Sequence, residues 1–260
     1  MTAPTHPPGR ARTWKARIPS IVLIVLAIGI AAYAVPRYLT GNPDDSAVPL
    51  GPDPMLHYLV LTAHAAPAGL ALILGPFQFI TPLRTRFPRA HRVTGRIYMI
   101  CIALGAMAGL VAATISVDGF SAQIAFYLLN LAWLYSLAQG FRHIRRGEVR
   151  LHRVWMIRNY ALTFSAVTLR IFLVIGLMLR PTLGVEFTEI YSASVWASIF
   201  VNAVAAEYFI VTRIVTPALR RRRPQPSGPR GASVHVRVDQ LDHPSAVEDL
   251  TVAGIHDPNR

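Results

Sequence analysis

Six apolar runs, each long enough to cross a bilayer and each closed off by polar or basic residues, constrain this chain more than any other feature: 18–35, 56–80, 93–115, 120–141, 152–179 and 190–215. A hydrocarbon core of about 30 Å takes roughly 20 helical residues, and inside it helices satisfy their own backbone N–H and C=O groups. The expected architecture is an all-α integral membrane protein. Six transmembrane helices pack as a bundle, and a disordered C-terminal tail follows at 216–260, rich in Pro, Gly, Ser, Asp and His and without long apolar periodicity. Composition agrees, since 53% of the residues are hydrophobic and only 15% charged.

The charge of the chain is strongly positive, 26 Lys+Arg against 13 Asp+Glu, and a soluble protein so basic would suggest nucleic acid as a partner. Here the basic residues fall in short clusters between apolar runs, which excludes a nucleic-acid face and reads as topology. Arg10, Arg12, Lys15 and Arg17 lie in the N-terminal segment 1–17; Arg84, Arg86, Arg89 and Arg92 follow the second run; Arg142, Arg145, Arg146, Arg150 and Arg153 follow the fourth; Arg220, Arg221, Arg222 and Arg223 follow the sixth. The alternate loops hold only Arg37 and Arg180. The positive-inside rule then places both termini in the cytoplasm. Ala32, Tyr33 and Ala34 resemble a signal-peptidase site, yet the run before them is longer than a signal core, so 18–35 reads as an uncleaved anchor. The units expected are therefore the N-terminus 1–17, the first span 18–35, a core of four spans over 56–179, the sixth span 190–215 and the tail.

Within the fifth run the stretch HRVWMIRNYALTFSAVTLR, His152 to Arg170, gathers its polar residues on one side. At roughly 3.6 residues per turn His152 and Arg170 share an azimuth, with Met156, Asn159 and Thr163 beside it, while the rest of the surface is apolar. An arginine deep in hydrocarbon is costly enough to mark a functional site. The second run repeats the pattern with His57, His64, Ala68, Ala71, Gly75 and Gln78, and Pro67 frees the carbonyl of Ala63 a turn from His64. On the third, His91, Gly95, Tyr98, Gly105 and Gly109 share a face, the last two forming a GxxxG pair suited to close helix contact. The fourth carries Asn130 and Gln139, the sixth Asn202 and Glu207. Counting residues from the span ends puts His64 and Arg170 at one depth, about 12 to 14 Å from the boundary opposite the basic loops. Cys101 is the only cysteine, so neither an intramolecular disulfide nor a cysteine metal cluster can form.

The strings HAAPAGLALILGPFQF, HRVTGRIYM and HRVWMIRNYALTFSAVTLR resemble, in that order, the recurring segments of the bacterial membrane-protein family called domain of unknown function 2306. The resemblance covers about 56–170 and implies a multi-pass membrane protein without an established activity. Its recurring polar positions fall on His64, Gln78, His91, Arg92, Gly95, Arg96, Tyr98, His152, Arg153, Met156, Arg158, Tyr160 and Arg170.

Three chemistries fit these residues. The first is a b-type haem for membrane electron transfer, with His91 and His152 as the axial pair at the basic end and Arg92, Arg153 or Arg158 at the propionates; its partner would be a quinone or another redox protein. Binding or transport of a small anionic or quinone-like ligand is the second, with His64 and Arg170 holding its polar group among Gln78, Tyr98 and Asn159. In the third the same residues are structural: histidines cap helices, arginines meet lipid headgroups, and Arg170 binds backbone carbonyls. His235, His243 and His256 in the tail are too far apart in sequence to indicate a metal site.

Overall fold

The computed structural model describes residues 18–216, and all regular structure among them is helical. In chain order the helices are α1 (Ile18–Ala34), α2 (Pro54–Gln78), α3 (Thr81–Arg86), α4 (Pro88–Ile115), α5 (Phe120–Arg145), α6 (Val149–Leu183) and α7 (Phe187–Ile210), the last continued by a π-helical turn, Val211–Val215. All but α3 are long and apolar enough to cross a membrane. The N-terminus expected at 1–17 lies outside the described residues, as does the tail expected at 216–260 apart from Thr216.

Local chemistry sets the helix ends. Asp53 accepts a hydrogen bond from the N–H of Leu56 at 3.0 Å and Pro54 occupies the first turn, so α2 starts slightly before its apolar run. Glu186 and Glu189 form a capping box that starts α7 at Phe187, earlier than the expected 190. At the other end of the same loop, Gly184 adopts φ +64° and its N–H bonds the carbonyl of Arg180 at 2.9 Å, so α6 runs on to Leu183 rather than stopping at 179. The basic segment after the second span, expected to be a loop, contains α3, and α4 begins with Pro88 in its first turn instead of at Val93.

In the bundle α2 packs on α4, α4 on α5, α5 on α6, and α6 closes onto α2; α1 lies against α2 and α6, and α7 against α6 and α5. Helix α6 is thus the central element, and beside the expected polar stripe it carries a second polar face, Ser165 and Thr168, turned to α7, where only apolar surface was expected. Small residues set the close approaches. Ala27 and Ala31 of α1 are buried against Leu72 and Val167, and Gly105 of the GxxxG pair lets α4 approach the backbone of α2, where a Cβ would lie 3.4 Å from the amide nitrogen of Ala68. Large apolar side chains such as Phe120, Met178, Val204 and Tyr208 are mostly exposed; in a bilayer that surface meets acyl chains.

Candidate functional site

Between α4, α5 and α6 a buried polar network closes on itself. Asn159, fully buried at the centre, accepts from the Tyr98 hydroxyl at 2.7 Å and donates through Nδ2 to the Trp133 carbonyl and to Ser136 Oγ, both at 2.9 Å. Trp133 Nε1 donates to Thr163 Oγ1 at 2.9 Å, and that hydroxyl donates to the Asn159 carbonyl. Every polar group has a partner, so Tyr98 and Asn159 act as a joint between helices; neither lines the cavity described next. A second joint ties α6 to α7, where Asn202 Nδ2 donates to Ser165 Oγ and Thr168 Oγ1.

On the side of this network away from the basic loops, a cavity of about 240 Å³ opens between α1, α2, α4, α5 and α6. His64, Arg170, Asn130, Thr163 and Trp133 stand on its wall among small and apolar residues, with His57, Asp118 and Tyr38 toward the 36–53 loop. His64 and Arg170, brought together in the sequence by depth alone, share this one space, and Arg170 lies within electrostatic range of His64.

The hydrogen bonds of His64 orient its ring. Nδ1 faces the Gly105 carbonyl at 2.7 Å; a carbonyl only accepts, so Nδ1 carries the proton and Nε2 of the neutral ring is an acceptor. Nε2 makes no hydrogen bond to any described residue, and the ring keeps accessible surface although it lies in mid-helix, with the Trp133 ring edge-on at 6.5 Å. Arg170 donates through Nη1 to the carbonyl of Ala166 at 2.6 Å. It has no carboxylate partner among the described residues, and Tyr191, Tyr38 and Tyr33 are within electrostatic range of it. Its remaining N–H groups make no hydrogen bond to the described protein.

Asn130 carries an unpaired oxygen of its own, shut off from the cavity. Its Nδ2 donates to the Phe126 carbonyl at 2.9 Å, which fixes the amide orientation, and leaves Oδ1 buried with no hydrogen bond on a side chain only 4% exposed. Asn130 and His64 both rest against the bare Cα of Gly109: a Cβ there would stand 2.8 Å from His64 Nδ1 and closer still to Asn130 Oδ1. Asp118 lies in the loop between α4 and α5 and accepts from the Ser116 hydroxyl at 2.7 Å. Burial pushes its carboxyl above the usual carboxylate range, opposed by that hydroxyl and by nearby His57.

The other expected site residues gather at the basic end. His91 and His152 are within electrostatic range of each other. His152 Nδ1 bonds the Gly140 carbonyl at 2.8 Å, and His91 Nδ1 is buried without a partner. Gln78 also belongs to this end, donating to Thr94 Oγ1 at 2.8 Å, so it does not join His64 and Arg170. Arg92 and Arg153 are exposed. Arg158 is engaged with Glu207, its Nε and Nη2 meeting the two carboxylate oxygens at 2.5 and 3.0 Å while its guanidinium lies over the Trp155 ring. That ion pair also accounts for Glu207, the acidic residue of the sixth span. Asn130, Trp133 and Asp118 were not among the expected site residues; an amide inside an apolar run is the one sequence signal that pointed to the first of them.

Six apolar helices, buried polar joints and a cavity lined by an arginine that has no carboxylate partner among the described residues define a polytopic helical membrane protein with an internal, mostly apolar chamber. The chain belongs to the family described as predicted membrane protein (DUF2306), which matches residues 61–210, more than half of its length. No curated protein and no solved structure matches it.

Proposed function

We propose that the protein is a membrane-embedded binding protein for a small anionic or quinone-like molecule, held in the cavity by Arg170 and His64. The observation that carries this reading is that Arg170 stands on the cavity wall with no carboxylate within ion-pair distance among the described residues. An uncompensated charge inside a bundle is expensive and calls for a partner of opposite polarity. One backbone carbonyl, that of Ala166, answers only part of its hydrogen-bonding capacity. Gathering of basic residues at the opposite end, with Arg37 and Arg180 the exceptions, supports an orientation in which the termini are cytoplasmic and the cavity lies in the outer half of a bacterial inner membrane.

The test is an Arg170→Met variant in nanodiscs, probed with benzoate and hydroquinone by saturation-transfer NMR against empty nanodiscs. Wild type should give transfer to at least one probe and the variant to neither, while the variant melts no earlier, because methionine removes a buried charge without opening a void. If Arg170 served only to bind a backbone carbonyl, transfer would be unchanged and melting would fall.

A b-type haem across His91 and His152 is the second reading, favoured by their proximity and by the Gly140 carbonyl, which orients His152 with Nε2 free. A Soret band in purified protein that changes in His91→Ala and His152→Ala would support it; no band after haem supplementation would end it.

A further inference from the structure

The polarity of the cavity wall narrows the ligand further. We infer, on the basis that the cavity is a ligand site, that it takes an uncharged hydroxylated aromatic of the hydroquinone type rather than a carboxylate anion. The wall presents two kinds of free polar group. Arg170 offers N–H donors and needs an acceptor oxygen. The neutral His64 ring offers Nε2 as an acceptor and needs a donor, because the Gly105 carbonyl holds the ring proton on Nδ1.

A carboxylate brings acceptors only. Bound to Arg170, it would leave the His64 acceptor unanswered and turn a second lone pair toward it, and a polar group left unpaired inside a bundle is costly. A hydroxyl reverses this: its O–H donates to His64 Nε2 while an oxygen elsewhere on the molecule accepts from Arg170. Size agrees with a single ring, since an apolar cavity of roughly 150 Å³ holds benzene and this one is about 240 Å³. The edge-on Trp133 ring and the surrounding alanines and leucines supply the apolar faces such a ring needs.

Three probes of one ring size separate the possibilities: hydroquinone kept reduced with ascorbate, 1,4-dimethoxybenzene, which has the same oxygens without donors, and benzoate. Their affinities are measured by saturation-transfer titration on full-length protein in nanodiscs, for wild type and for His64→Asn. Asparagine keeps a donor for the Gly105 carbonyl and removes the acceptor that Nε2 provides. Hydroquinone should bind wild type most tightly and lose about tenfold in His64→Asn, the loss expected for one unmade hydrogen bond. The other two should bind wild type and variant equally weakly. Benzoate or dimethoxybenzene binding wild type as tightly as hydroquinone, or hydroquinone indifferent to His64→Asn, overturns the hydroxyl inference and leaves the binding reading standing. Failure of all three probes on wild type removes both.

Discussion

Arg170 and His64 show how one residue changes meaning with its partners. Each could have been a structural hydrogen-bonding group, and each does make one such bond, to Ala166 and to Gly105 respectively. Both line one cavity while keeping groups that bond no described residue, and that is a property of the pair. The sequence made their common depth legible, because helical rise is fixed and the span ends were visible. Asn130 was not legible as a site residue, since its importance comes from Gly109 on another helix, which brings its amide against the His64 ring. Asp118 gives a prediction at this scale. Burial holds its carboxyl above the ordinary range of about 3.9, so the folded state binds the proton more tightly than the unfolded chain. The stability this supplies is present below the ordinary value and lost as pH rises through the raised one. Asp118→Asn keeps an acceptor for Ser116 and should therefore melt above wild type near neutral pH, with the gap closing on acidification through the carboxylate range. A gap that stays constant with pH would show that burial does not raise the Asp118 carboxyl.

Helix α6 carries the organisation at the scale of elements. At about 1.5 Å per residue it is longer than a bilayer is thick, and it meets α1, α2, α5 and α7. Its polar stripe was read from spacing as a face turned toward protein, and Asn159 and Thr163 of that stripe are buried. The helix ends were less legible, because capping by Gly184 and by the Glu186 and Glu189 pair depends on backbone geometry that hydropathy does not register. Short, basic α3 has no apolar face long enough to announce itself. Asn159 holds α4, α5 and α6 together through its bonds to the Tyr98 hydroxyl, the Trp133 carbonyl and the Ser136 hydroxyl. Interhelical hydrogen bonds in membranes average about 0.6 kcal/mol, so losing this set should cost roughly 2 kcal/mol. Asn159→Leu, unfolded by SDS titration in mixed micelles, should show a loss of that order; an unchanged midpoint would mean that apolar packing alone holds the three helices.

The whole molecule is a bundle with two chemically different ends, one rich in arginine and one enclosed by the proline-rich 36–53 loop, with the cavity near the second. Its span count was legible because six apolar runs leave few ways to satisfy a backbone in lipid. The cavity was not, because it arises where five helices fail to fill the space between them, and no single helix encodes that. Orientation can be tested in a Cys101→Ala background. Asp45→Cys should react with a membrane-impermeant thiol reagent in intact cells and Arg146→Cys should not, and the reverse pattern would invert the topology. The central claim, that the chamber walled by Arg170 and His64 holds a small molecule, is tested most directly by native mass spectrometry of wild type and Arg170→Met released from the same membranes. The account predicts a small non-lipid adduct on wild type that is missing from the variant. Identical spectra for the two proteins, with or without an adduct, would contradict it.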